Sequence, residues 1–272
     1  MKTRALLLFF SLVMGGLVSF FLLEQAPRTV SEKFNLPTRS NLMLLPGDLR
    51  WGASYIGFIN VLAFAGSSLK KGYMSEEEGK KLYRSLEAIT FYNPRYFDPY
   101  YVASALLTWE AGLYGEVLTL LERGLGYLKD PRIAFYTGFI YFYFLGEKEK
   151  GARYMELAAE LGWEGALPIL VASRLRYEEG KTELAIALLE RQRKVARDDT
   201  VRRVLERRLR DLKTVLLVQR AIREFKNRFG RAPMGMEELV REGLVPPDLR
   251  DSKGGKFYIT EEGEVRSERV FR

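Results

Sequence analysis

The chain has 272 residues, with 43 Lys and Arg against 35 Asp and Glu, a formal net charge of +8, and neither Cys nor His. The two missing residue types exclude disulfides, Cys/His zinc sites, cysteine nucleophiles and every Ser-His-Asp arrangement. With 47% hydrophobic and 29% charged residues, it is too apolar for disorder and too charged for a multi-span transporter, so most of it must pack as a folded body.

Lys2 and Arg4 precede an uncharged run from Ala5 to Leu23, closed by Glu24. As a helix rising about 1.5 Å per residue, this run covers roughly 28 Å, close to the hydrocarbon thickness of a bilayer. The basic flank places the chain after Glu24 on the far side of the membrane. A cleaved signal peptide is the rival reading, but the context Leu22 to Pro27 has no small-x-small site, which favours an uncleaved anchor.

Pro27, Pro37, Pro46 and Gly47 mark a spacer. A second uncharged stretch, Trp51 to Leu69, precedes Lys70 and Lys71. Its Gly52, Ser54, Gly57, Asn60, Gly66, Ser67 and Ser68 lower its hydrophobicity, so it reads as the buried first helix of the body rather than a second span. The next helix opens at Ser75 and Glu78, a capping-box pair.

From Asp98 onward, three segments align at a constant offset of 34 residues. In register fall Gly112, Gly146 and Gly180; Trp109, Tyr143 and Tyr177; Leu121, Met155 and Leu189; Glu122, Glu156 and Glu190; and Val117, Gly151 and Ala185. A glycine-marked turn between two amphipathic helices at this period resembles the tetratricopeptide repeat family. The stretch WEAGLYGEVLTLLERGL carries the likeness best: Gly112, Tyr114, Glu116 and Val117 stand at the turn and second-helix start. The family's small residue before the turn is Ala105 and Ser173 in two repeats, but Phe139 in the middle one. The resemblance covers roughly residues 98–197, with a degenerate repeat before it.

Stacked helix pairs share a core and leave a long surface that binds rather than catalyses. By the resemblance, Trp109, Tyr143 and Tyr177 line the concave side, with Glu110 and Glu178 beside two of them; the alternative is that these aromatics pack between helices. FYTGFIYFYF, residues 135–144, has too many aromatics for one buried stripe, so some of Tyr136, Tyr141 and Tyr143 reach a surface. The expected partner-binding set is therefore Trp109, Glu110, Tyr136, Tyr143 and Tyr177, presented to a peptide or helix. Glu122, Glu156 and Glu190 read as solvent-facing charges.

From Arg191 to Arg231 there are 15 Lys or Arg against 5 Asp or Glu, a surplus larger than that of the whole chain. Leu205, Leu209, Leu212, Leu216, Ala221 and Phe225 recur at helical spacing, giving one or two amphipathic helices with a basic face. Arg202, Arg203, Arg207 and Arg208 are the candidates for an anionic partner or lipid headgroups; a merely solvated face is the alternative, and nucleic acid is disfavoured beyond a membrane.

The last segment has a short helix from Met236 to Arg241, a stop at Gly243, and a hairpin of KFYIT with EVRSERV around Glu262 and Gly263. Gly230, Pro233, Leu239, Gly243, Pro246, Gly254, Gly255 and Tyr258 make it similar to the tail of type II secretion pseudopilins. Asp251-Ser252 replaces that family's Asp-Pro, and no prepilin cleavage motif precedes the apolar segment, so the likeness implies a small module of similar shape.

The expected fold is all-α: a transmembrane anchor (1–24), a linker (25–47), a tetratricopeptide-like helical-repeat solenoid (48–197), a basic amphipathic helix (198–230) and a small C-terminal α+β module (231–272). The expected function is a non-catalytic protein–protein interaction scaffold or assembly factor for an envelope complex. It would sit in a bacterial inner membrane through residues 5–23, with its soluble part in the periplasm. A constitutive accessory subunit of a respiratory, secretion or pilus complex is the alternative. A peptidoglycan-acting enzyme needs a facing carboxylate pair, which no motif marks. No catalytic residue, cofactor or metal is expected.

Overall fold

The computed structural model describes Phe34 and residues 36–271; the expected anchor at Ala5 to Leu23 lies outside them. The chain divides after Asn93 into two compact units. That boundary falls inside the stretch 48–197: the first helix pair belongs to one unit and the three pairs that share the 34-residue spacing to the other.

The first unit contains α1 (Arg39–Met43), α2 (Gly47–Leu69) and α3 (Glu76–Tyr92). The Ser75 hydroxyl accepts from the Glu78 amide, and the Glu78 carboxylate accepts the Ser75 amide at 3.0 Å, so two orphan donors at the start of α3 are satisfied reciprocally. Ser54, Gly57, Phe58, Val61, Phe64, Ala65 and Ser68 form the buried stripe of α2, packed against α3. A Cβ at Gly57 would come within 2.8 Å of Pro37, so glycine lets the incoming chain lie across the helix. From Trp51 onward the opposite face of α2 is uncharged yet exposed, presenting Trp51, Tyr55, Ile56, Ile59 and Leu62. The expectation of a buried helix thus holds for one face only, because α3 covers one side. Among the described residues, α2 is the one helix long and apolar enough to cross a membrane.

The second unit begins with α4 (Asp98–Val102), which runs into a π-helical turn, Ala103–Leu107, and pairs with α5 (Tyr114–Leu128). Next come α6 (Pro131–Phe139), continued by a second π-helical turn, Ile140–Phe144, and α7 (Lys148–Glu160). A third pair is α8 (Leu167–Glu178) with α9 (Thr182–Val195). From α5 to α10 each helix packs on the next. Gly112, Gly146 and Gly180 close the three intra-pair turns with φ of 64°, 69° and 74°, the left-handed region that a side chain penalises. Their spacing in sequence is a spacing of equivalent turns in space. In the first two pairs the π turn lengthens the loop bond: Leu113 N–H donates to Leu107 C=O and Glu147 N–H to Tyr141 C=O, whereas Lys181 reaches back only to Arg176. Gly151, the small member of its column, lets α6 and α7 approach until a Cβ there would lie 2.6 Å from that of Phe142.

The basic region is a single helix, α10 (Asp199–Phe229). Asp198 caps it by accepting the Thr200 and Val201 amides, and Gly230 ends it at φ 68°. Its buried stripe of Leu205, Leu209, Leu212, Val215, Val218, Ala221 and Phe225 joins one core with Leu189 of α9 and with Leu239, Val245, Phe257, Val265 and Phe271 downstream. α10 is therefore the spine on which the third pair and the C-terminal residues meet, not a free basic arm. Beyond it, α11 (Met236–Arg241) leads to β1 (Phe257–Ile259), paired antiparallel with β2 (Val265–Ser267) in the register Phe257 to Ser267.

Candidate functional site

Two side-chain clusters of the second unit have chemistry to offer. The first is aromatic. Trp109 ends the helix formed by α4 and its π turn, Tyr143 lies in the next π turn, and both are 57% exposed. They occupy the same position of the 34-residue period, and their ring centroids lie 5.7 Å apart. Phe144 meets Trp109 edge-on at 4.8 Å, Phe139 stacks on Tyr143 at 5.0 Å, and Tyr136 leans on Tyr101 at 5.8 Å. Between them opens a hollow of about 270 Å³ floored by Ser104, Thr108 and Ile140. A π turn inserts one residue into a helical register and turns the following side chains to a new bearing, a device common at functional positions. Here both π turns lie on helices that line the hollow.

Of the five residues expected to bind a partner, Trp109 and Tyr136 line this hollow, Tyr143 lies against its Trp109 and Phe139 rings, and Glu110 is exposed beside Trp109. Tyr177 does not. Although it is the third member of the Trp109 and Tyr143 column, it is 7% exposed, its hydroxyl donates to Val265 C=O, and its ring lies 4.8 Å from that of Phe271. The strand and tail beyond α11 cover it, and burial pushes its phenol up to about 12. Its neighbour Glu178 pairs with Lys148 and Arg174; burial pulls that carboxyl upward, but the two cations hold it below its ordinary value. Tyr101, Phe135, Phe139 and Phe144 belong to the hollow without having been singled out. Tyr101 and Phe135 stand 34 residues apart, so the repeat itself carried the signal for two of them.

The carboxylates at equivalent positions are not idle surface charges. Glu122 accepts the hydroxyls of Tyr141 and Tyr154, at 2.9 and 2.8 Å, from the next helix pair. Glu156 accepts Arg176 Nε from α8 at 2.9 Å, and Glu190 pairs with Lys213 of α10 at 2.7 Å. Each one ties its pair to the next element along the chain; Glu122 and Glu190 face solvent as expected, whereas the Glu156 side chain is largely enclosed.

The second cluster is basic. Arg202 and Arg203 are spent locally, the first on Asp199 and the Ala196 carbonyl, the second on the Thr200 hydroxyl. Arg207 and Arg208 instead line a cavity of about 480 Å³ with Arg174, Lys253 and Arg269. The four arginines expected to act together therefore divide into two locations. Among the described residues no group of three or more carboxylates is gathered as a metal site.

No protein-family model and no curated protein matches the chain. The functional reading accordingly rests on these side chains.

Proposed function

We propose that this protein is a membrane-tethered, non-catalytic scaffold that holds another protein of an envelope complex in the aromatic hollow of the first two helix pairs of its second unit. The observation that carries the reading is the exposure of Trp109 and Tyr143, whose rings meet at a tilt, 5.7 Å apart, across successive pairs. An unpaired surface aromatic cluster of this size is a typical anchor site for an apolar side chain of a peptide or helix. The resemblance to tetratricopeptide repeats supports it, since three helix pairs with glycine turns in register is the organisation that family uses to build a binding surface. The outer face of α2, uncharged from Trp51 onward, and the apolar run from Ala5 to Leu23 support the tether.

A photo-crosslinking amino acid placed at Trp109 or Tyr143, in cells, tests this directly. Both positions should give the same adduct, and a probe at exposed Glu183 should not. Equal adducts at all three positions, or none at either aromatic position, would remove the reading. Recovery of that adduct protein in equal amount with the untreated chain would mean a permanent subunit, and substoichiometric recovery a transient client.

A further inference from the structure

The cavity between α8, α10 and the C-terminal residues is built from mismatched parts. Five cations reach it, Arg174, Arg207, Arg208, Lys253 and Arg269, against a single carboxylate, Asp211. That carboxylate is occupied: Oδ1 accepts the Ser252 amide and Oδ2 the Ser252 hydroxyl, each at 2.7 Å. Arg174 is matched by Glu178, and Arg269 donates to the Lys253 carbonyl at 2.7 Å. Arg207 and Lys253 have no carboxylate partner among the described residues. Arg208 Nε is buried with no acceptor among the described residues, its guanidinium lying 4.3 Å from the centre of the Phe271 ring. A buried guanidinium donor without an acceptor is costly, and such groups ordinarily carry a reason. Burial lowers the Arg208 guanidinium to about 10, still charged at neutral pH. Leu170, Val171, Val204 and Val270 form the rest of the wall.

We infer that this cavity binds an organic phosphate, its phosphate group held among Arg207, Arg208 and Lys253 and its carbon portion lying against Leu170, Val171, Val204 and Val270. A phosphate supplies several acceptor oxygens and up to two negative charges, which suits a planar guanidinium fork with a nearby ammonium. A lone carboxylate would leave part of that surplus unanswered. The same chemistry is offered by a soluble phosphate ester and by a phospholipid headgroup. The inference uses side chains separate from those of the aromatic hollow and stands or falls without it.

The test is calorimetric titration of the full chain in nonionic detergent with three probes: inorganic phosphate, glycerol phosphate and dioctanoyl phosphatidic acid. At least one organic probe should bind saturably. Arg207→Gln with Lys253→Gln, both at exposed positions and therefore expected to leave the fold intact, should weaken it by at least about tenfold for each charged hydrogen bond lost. Arg208→Gln should weaken it further, with a thermal melt recorded alongside to separate lost binding from lost folding. Binding of phosphatidic acid alone identifies a lipid headgroup; glycerol phosphate binding as tightly identifies a soluble ester. Inorganic phosphate binding as well as either would overturn the role of the apolar wall. No saturable binding, or unchanged affinity in the double variant, would overturn the site.

Discussion

Glu156 of α7 and Arg176 of α8 form an ion pair at 2.9 Å with side chains only 19% and 6% exposed. It is the most enclosed of three clasps at equivalent positions, the others being Glu122 with Tyr141 and Tyr154, and Glu190 with Lys213. Burial of the partner grades them, from buried Arg176 through half-buried Tyr141 and Tyr154 to exposed Lys213, and energy should follow it. Glu156→Ala should destabilise by about 2–3 kcal/mol, somewhat below the usual cost of breaking a buried pair because Glu179 stays 3.4 Å from Arg176. Glu122→Ala should cost about 1 kcal/mol, and Glu190→Ala, at the surface, under about 0.5 kcal/mol. Urea unfolding of the three variants measures the order; equal costs would mean that the clasps do not act by desolvation.

The column Trp109, Tyr143 and Tyr177 offers a second comparison. Trp109→Ala and Tyr143→Ala remove exposed rings, so each should change stability by less than about 1 kcal/mol while abolishing the crosslinked adduct made from the other position. Tyr177→Ala should cost about 3–5 kcal/mol, as for other buried aromatics, and Tyr177→Phe about 1 kcal/mol for the lost hydroxyl bond. Thermal melts and crosslinking on the same variants decide whether the groove residues are surface or core.

Acid should weaken the first unit. The hydrogen bond from Lys71, followed by that from the Ser75 amide, pulls the Glu78 carboxyl from 4.5 to about 2. Because the folded value is the lower one, the stabilisation is present in full above the unfolded value and disappears as pH falls toward the folded value. Wild type should therefore unfold at higher denaturant than Glu78→Gln at neutral pH, and the gap should close between about pH 5 and about pH 2. A gap independent of pH would show that Glu78 contributes through packing, not charge.

Asp211 holds the loop at Ser252 against α10 through two bonds of 2.7 Å. Asp211→Ala should loosen the segment from Leu249 to Lys256 before it disturbs α10, costing about 2–3 kcal/mol for two hydrogen bonds to a buried charge. Hydrogen exchange should rise first at the Ser252 and Lys253 amides. Uniform exchange across the unit would mean that α10 itself depends on Asp211.

Much of the fold could be read locally. The Ser75 and Glu78 cap, the turns at Gly112, Gly146 and Gly180, and the leucine stripe of α10 depend on residues a few positions apart, so their spacing carries them. The π turns were invisible because a π turn preserves composition and only displaces register. Half of the candidate site was similarly legible: Trp109, Tyr136 and Tyr143 came together, whereas Arg202 and Arg203 parted from Arg207 and Arg208 once each found, or failed to find, a local acceptor.

Local periodicity specified which residues share a face: the apolar stripes, the 34-residue columns and the basic surface of α10. Folding decided what lies over each face. Tyr177 and Tyr143 have the same place in the repeat, yet one is core because Val265, 88 positions later in the chain, returns to cover it. The same closure places Lys253 and Arg269 beside Arg207 and Arg208 and leaves Arg208 Nε buried without an acceptor among the described residues. Side-chain period is a property of a few neighbouring residues, whereas burial depends on segments far apart in sequence, and only packing brings those together.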